Sequence, residues 1–130
     1  MPTPAEVAER LYDRWNTEGL SALTDSIDPT IELICDPLRP DETVFRGIEG
    51  WRQWVARWEE GYKAMHITVD GLLPVDDEHV LALVTIRATR RGDYHELTWA
   101  AAHLWTVRDG AIARWETHLD LGLAQRTLNS

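Results

Sequence analysis

The chain has 130 residues, 44% of them hydrophobic, and a formal net charge of -9 at pH 7. A negative charge argues against nucleic-acid binding, which requires a basic patch, and against attraction to anionic membranes. The single cysteine, Cys35, excludes an internal disulfide. No apolar run reaches the ~20 residues of a membrane span, and the N-terminus lacks the pattern of a secretory signal. We therefore expect one cytoplasmic domain over residues 1–130.

Periodic apolar residues predict three helices in the N-terminal half of the chain. Thr3-Pro4 supplies an N-cap followed by a proline at the first helical position. Residues 19–27 are expected to form a second, short helix, and residues 47–61 a third. The third helix carries large side chains three and four positions apart, which places them on one face: Trp51, Trp54, Val55 and Trp58.

The C-terminal half has the alternation and turn signals of an antiparallel meander. After a first short strand at 31–35, the predicted strands are 64–73, 79–90, 95–108 and 111–120. Asp109-Gly110 is the turn between the last two of these strands. Helices followed by a meander predict an α+β domain in which helices cover one face of a bent sheet.

Strand parity singles out His103 in the predicted strand 95–108. His103 shares a face with apolar residues where a simple core would have Val or Leu: Leu97, Trp99, Ala101, Trp105 and Val107. The opposite face of this strand and of 79–90 is also largely apolar. Since the helices can cover only one face, the other face predicts a homodimer.

Three stretches of the sequence resemble a known family: RWNTEGLSALTDSIDPTIEL, VFRGIEGWRQWVARWEEGY and HLWTVRDGAIARWETHLDLGLA. They are similar to the SnoaL-like polyketide cyclase group of the nuclear transport factor 2-like superfamily. The resemblance implies a cone-shaped fold, in which a curved antiparallel sheet and three helices enclose an apolar pocket. The fold hosts isomerases, cyclases, dehydratases and binding modules, so fold alone does not specify the reaction.

The resemblance implies two catalytic candidates. SnoaL-type cyclases have a histidine seven residues before the glycine of the last hairpin, and His103 stands seven residues before Gly110. In these families an Asn or Asp directly before a proline ends the first strand, and Asp36-Pro37 matches this pattern. In the ketosteroid isomerases that aspartate is the base. The alternative readings are a hydrogen-bonded core histidine for His103 and a turn cap for Asp36.

The sequence departs from the family pattern at two positions. The catalytic aspartate of the final strand is replaced by Thr117, which argues against aldol cyclisation of the SnoaL type. The isomerase tyrosine of helix 1 corresponds to Leu11, one residue before the candidate oxyanion donor Tyr12. Such a step turns a helical side chain by ~100°. The loop after Pro29 is longer than in the cyclases, so Glu32 is a possible substitute for Asp36.

We therefore expect Asp36 and His103 to be catalytic in a flat aromatic pocket. The residues expected to contact substrate there are Trp15, Trp54, Trp58, Trp99, Trp105, Trp115, Thr117 and Tyr12. The favoured function is a lyase, isomerase or cyclase that acts on a small hydrophobic carbonyl compound, without a cofactor or metal. The alternative is a non-catalytic binding module or a dimer with a sealed core. The opposite parity of the last strand predicts a solvated or interfacial charge ladder: Arg114, Glu116, His118 and Asp120.

Overall fold

A computed structural model describes residues 3–34 and 44–118 of the chain. The helices are α1 (Pro4–Glu18), a 3-10 helix (Leu20–Ser26) and α2 (Gly47–Gly61). The strands are β1 (Ile27–Ile34), β2 (Val44–Arg46), β3 (Tyr62–Pro74), β4 (His79–Arg90), β5 (Glu96–Arg108) and β6 (Ala111–His118). No helix in these two ranges is long and apolar enough to cross a membrane.

The six strands form one curved sheet in the order β2-β1-β6-β5-β4-β3. Neighbouring strands are antiparallel except β1 and β6, which run parallel. The strand β1, which precedes the meander in the chain, lies beside β6, the last strand of the meander. The predicted α+β fold of the nuclear transport factor 2-like type is confirmed.

The helices pack on one face of the sheet and bury the core. Thr3 caps α1 by accepting a hydrogen bond from the Glu6 amide at 3.2 Å, and Gly19, at φ 95°, ends it. From β4 the core takes every second residue: Val80, Ala82, Val84, Ile86 and Ala88. From α2 it takes the predicted stripe, including Trp51 and Trp54. We call this covered side of the sheet the inner face.

The structure differs from the predicted elements at the start of the sheet. The 19–27 segment is a 3-10 helix, and β1 begins at Ile27 rather than at residue 31. The Asp28 carboxylate accepts hydrogen bonds from the amide and the hydroxyl of Thr30. Asp28 and Pro29 therefore lie in a bulge of β1 and not in a loop before it. The strand β2 was not predicted, because three residues are too few to show an alternation. The Pro-rich stretch 36–42 and residues 119–120 lie outside the described residues.

The outer face of the sheet has its own small apolar cluster. Leu81 and Ala102 are buried there, with Leu83 and Leu104 half-buried beside them. The described members of the predicted charge ladder, Arg114, Glu116 and His118, also lie on this face, because Ala102 pairs with His118, Leu104 with Glu116 and Thr106 with Arg114. His118 is 1% exposed and Glu116 is 8% exposed. The solvated interpretation of these two residues is therefore wrong, since both are buried, whereas Arg114 is exposed.

The side-chain amide of Asn16 joins α1 to the sheet. Its Nδ2 donates to the Ile67 carbonyl at 2.8 Å, and its Oδ1 accepts from the Ile67 amide at 2.8 Å. These two hydrogen bonds satisfy the backbone N–H and C=O of Ile67, whose side chain is buried. Asn16 thereby fixes the position of the helix that carries Tyr12 and Trp15.

Replacement of Asn16 by alanine should destabilise the fold by about 2 kcal/mol, because it leaves the backbone donor and acceptor of Ile67 without partners. Denaturant unfolding of wild type and variant measures the difference. Thr17→Ala at the next, exposed position is the matched control and should change stability by less than about 0.5 kcal/mol. An Asn16→Ala variant as stable as the control would show that the clamp contributes nothing.

Candidate functional site

The inner face holds one hydrogen-bonded polar pair in the middle of its aromatic core. Tyr12 of α1 and His103 of β5 are 1% and 3% exposed, and the phenol oxygen lies 2.5 Å from the imidazole Nδ1. Tyr12 reaches the sheet because it lies on the buried side of α1, one turn before Asn16. His103 faces inward because Ala82, its partner on β4, belongs to the inner core. The structure confirms the predicted inward parity of His103.

Aromatic rings enclose the Tyr12–His103 pair. The ring centroid of Tyr12 lies 5.8 Å from that of His103, 6.3 Å from Trp15 and 5.1 Å from Trp105. Trp115 stands edge-on to His103 with centroids 5.3 Å apart. It also packs 4.5 Å from Trp105, its cross-strand partner. Three of the tryptophans named as pocket residues, Trp15, Trp105 and Trp115, are thus brought together around the Tyr12–His103 pair.

Burial keeps both members of the pair neutral. Desolvation, with a smaller electrostatic contribution from the nearby His118, lowers the pKa of His103 from 6.5 to about 3. Desolvation also raises the pKa of the Tyr12 phenol well above its usual range. A neutral imidazole has one donor and one acceptor nitrogen, so its tautomer decides which partner donates. With Nδ1 protonated, His103 donates to the phenol oxygen and leaves the Tyr12 hydroxyl proton free for a ligand.

Two further donors in this shell have no partner. The Nε1 atoms of Trp105 and Trp115 are buried and make no hydrogen bond within residues 3–34 and 44–118. Trp51, which packs 6.2 Å from Trp115, instead donates from its Nε1 to the Thr24 hydroxyl at 2.9 Å. Most buried polar groups in proteins have a partner, so the two free indole N–H groups distinguish this part of the core.

A surface cleft of about 270 Å³ reaches the aromatic shell. Its lining includes aromatic and charged side chains: Trp15, Trp58, Tyr62, Glu59, Lys63 and Arg91. Trp58 stacks on Tyr62 with centroids 5.1 Å apart and lies parallel to Trp99 at 6.5 Å. Trp15 lines the cleft and also stacks on Tyr12, so this indole connects the cleft to the buried pair.

The remaining predicted residues divide between the shell, the cleft and the opposite face. Trp54 packs 5.0 Å from Trp115 in the shell, and Thr117 pairs with His103 on the inner face. The proposal that Glu32 replaces Asp36 is wrong. Its neighbours Ile31 and Leu33 are buried in the core, so alternation turns Glu32 away from the inner face. Asp36 lies outside the described residues.

The sequence interpretation missed the cleft residues after α2. Tyr62 follows Trp58 by four positions, so continuation of the helical stripe was a signal that could have identified it. Lys63 and Arg91 gave no such signal, because they come together only when β3 pairs with β4. Within the described ranges no group of three His, Cys, Asp or Glu side chains is arranged to hold a metal ion.

A family model described as the SnoaL-like domain matches residues 8–115 of the chain. The chain belongs to the SnoaL-like domain family. This family has a fold that includes polyketide cyclases and isomerases. The match spans both Tyr12 and His103 and ends at Trp115. No curated protein matches the sequence.

Solved structures confirm the fold. An NTF2-like protein of unknown function from Burkholderia pseudomallei K96243 has a TM-score of 0.78 at 15% identity, covering 100% of both chains. A protein named as a SnoaL-like polyketide cyclase, from Jannaschia sp. CCS1, has a TM-score of 0.74 at 17% identity, covering 100% of this chain and 97% of its own. TerC, co-crystallised with polyporic acid, has a TM-score of 0.74 at 17% identity, covering 96% and 97%. At these identities the similarity is one of fold.

The lowered pKa of His103 predicts a specific loss of stability in acid. Between pH 6.5 and about 3 the unfolded chain binds a proton at this residue and the folded chain does not, so stability falls as the pH falls. The loss is about 1.4 kcal/mol per pH unit, or about 2 kcal/mol on going from pH 6.5 to 5.

Unfolding curves of wild type and His103→Gln at pH 7 and pH 5 measure this loss. The variant has no titrating group at position 103, so its stability should fall less between the two pH values, by about 2 kcal/mol. Contributions from the other titrating groups are common to both proteins and cancel. Equal pH dependence in the two proteins would contradict the buried, neutral state of His103.

Proposed function

We propose that this SnoaL-like protein binds a small hydrophobic carbonyl compound in its aromatic interior and acts on it as a cofactor-independent lyase, isomerase or cyclase. The observation that carries the proposal is the buried Tyr12–His103 hydrogen bond on the inner face. The other buried polar side chains of the described residues are Thr106, Glu116 and His118, and strand alternation places all three on the outer face. The polar chemistry of the interior is therefore concentrated at one point.

The shape and composition of the site support a small, flat ligand. The cleft is near the lower end of the size range of ligand pockets, which suits a compound of one or two rings. Trp58 and Tyr62 offer ring faces for stacking. TerC, a protein of the same fold, was co-crystallised with the organic acid polyporic acid.

In the proposed mechanism a carboxylate removes a proton from the carbon next to the carbonyl. The electron pair of the broken C–H bond moves onto the carbonyl oxygen, which becomes an enolate. The Tyr12 hydroxyl donates a hydrogen bond to that oxygen while the Nδ1–H of His103 donates to the phenol. Return of the proton to another carbon completes an isomerisation. We assign the carboxylate to Asp36, on the family resemblance.

The pKa of His103 decides whether this residue relays a proton or donates a hydrogen bond. An imidazole with a pKa of about 3 stays neutral at pH 7 and is a weak proton acceptor, so it is poorly suited to relay a proton. A neutral imidazole remains a good hydrogen-bond donor. We therefore place His103 as the donor that orients Tyr12.

The second candidate is a non-catalytic binding module with the same pocket. Thr117 favours it, because the threonine pairs with His103 where the family's catalytic aspartate is expected, and it supplies no base. In a binding module the Tyr12–His103 pair recognises the ligand's oxygen and no proton leaves carbon.

Asp36→Asn separates the two candidates, because it keeps the shape of the side chain and removes the base. For an enzyme, single-turnover rates should fall by roughly 10²–10⁴-fold while ligand affinity changes little. Glu32→Gln is the matched control and should leave both values unchanged, since Glu32 points away from the inner face.

Two results would count against the enzyme. A fully active Asp36→Asn variant would remove this residue from the mechanism. Ligand binding without turnover by the wild-type protein would identify the binding module. Small molecules that co-purify with the protein, identified by mass spectrometry, supply the ligand for these measurements.

We also propose that two copies associate through the outer sheet face. Leu83 and Leu104 are half-buried there, beside the buried Leu81. Light scattering at micromolar concentration should give about twice the 14.9 kDa of one chain. Leu104→Lys should reduce this mass to that of one chain without unfolding it. A mass of 14.9 kDa for the wild-type protein at all concentrations would disprove the dimer.

A further inference from the structure

The two unpaired indole donors of the core differ from the other buried tryptophan in their surroundings. Trp51 has a hydroxyl acceptor, whereas Trp105 and Trp115 have none among the described residues. Both are at most 1% exposed, so no bulk water reaches their N–H groups. A buried donor without an acceptor costs roughly as much as a lost hydrogen bond. Trp51 therefore serves as a paired reference for the unpaired donors of Trp105 and Trp115 in the same core.

The unpaired donors lie beside the Tyr12–His103 pair. The Trp105 ring is 5.1 Å from the Tyr12 ring. Weak hydrogen bonding from the Trp105 indole partly offsets the rise in the pKa of Tyr12, although no hydrogen bond of ordinary geometry joins the two side chains. The Trp105 N–H is therefore close to the phenol oxygen. Trp115 is 4.5 Å from Trp105 and 5.3 Å from His103, and Tyr12 adds a hydroxyl to the same region.

We propose that the indole N–H groups of Trp105 and Trp115 form, with the Tyr12 hydroxyl, the binding site for the carbonyl oxygen of the ligand. This inference rests on the proposed function and specifies it further: the ligand needs an oxygen acceptor attached to a flat apolar group. An indole N–H is a donor and not an acceptor, and its hydrogen bond to an oxygen becomes stronger when that oxygen gains negative charge. The two tryptophans thereby favour an enolate over the neutral carbonyl form.

The same donors give specificity for a carbonyl over a hydrocarbon. A ligand of equal shape without the oxygen leaves the indole N–H groups unpaired, and buried unpaired groups discriminate strongly against such an analogue. The aromatic rings contribute only apolar contact, which both ligands satisfy equally. Discrimination should therefore depend on the two N–H groups.

The test uses two probes of the same shape. Acetophenone carries a carbonyl, and α-methylstyrene carries a methylene group in its place. In protein labelled with ¹⁵N at the tryptophan indoles, acetophenone should move the Trp105 and Trp115 N–H proton signals downfield, and α-methylstyrene should not. The Trp51 signal should respond equally to both, because its donor is already paired. Trp→Phe variants assign the seven indole signals.

Affinities for the two probes give the second measurement. Acetophenone should bind about tenfold more tightly than α-methylstyrene to the wild-type protein. Trp105→Phe and Trp115→Phe should each reduce this ratio, because phenylalanine keeps a ring and removes the donor. Trp51→Phe is the matched control and should leave the ratio unchanged.

Each result has a separate meaning. Equal affinities for the two probes, with equal shifts at all indole signals, would overturn the donor site and leave interior binding intact. No change at the Trp15, Trp105 or Trp115 signals with either probe up to its solubility limit would overturn the interior site and with it the proposed function. If the Phe variants do not fold, the shifts in the wild-type protein still decide between these results.

Discussion

Burial of the Tyr12–His103 hydrogen bond constrains the rest of the interior. Two titratable groups are held away from water, and desolvation shifts the pKa of each in the direction that keeps it neutral. The bond also joins residues that are 91 positions apart, so it fixes the position at which α1 crosses β5. The clamp from Asn16 to the Ile67 backbone, one turn along α1, holds the helix there.

The aromatic shell follows from the same constraint. A neutral polar pair costs less to bury among apolar neighbours than a charged pair, and each tryptophan fills a large volume with one side chain. Tryptophan also brings an N–H donor, which a leucine core lacks. Trp51 has an acceptor in Thr24, but Trp105 and Trp115 do not have one in the part of the chain that the structure describes. The shell is therefore suited both to packing and to recognition of an oxygen atom.

The sequence predicted which face of a strand or helix a residue lies on, but it did not predict contacts between residues that are far apart in the chain. Alternation placed His103 inward, and three- and four-residue spacing placed Trp51 and Trp54 on one helix face, because these periods follow from local backbone geometry. The orientation of Tyr12 was not determined, since the family match differs by one helical position. Its contact with His103 depends on how α1 docks on the sheet. The sequence left open whether Glu32 replaces Asp36, because the longer loop after Pro29 shifts the register of the family match; alternation with the buried Ile31 and Leu33 turns Glu32 outward.

The proposed function requires the Tyr12–His103 bond to be a neutral hydrogen bond at the point where the ligand's oxygen binds. Proton NMR tests it directly, because a short buried hydrogen bond gives a far-downfield signal that exchanges slowly with water. We expect one such signal, absent from both Tyr12→Phe and His103→Gln, that shifts when a carbonyl ligand is added and not when its hydrocarbon analogue is added. A signal that is unaffected by every interior ligand, or its persistence in Tyr12→Phe, would contradict the claim.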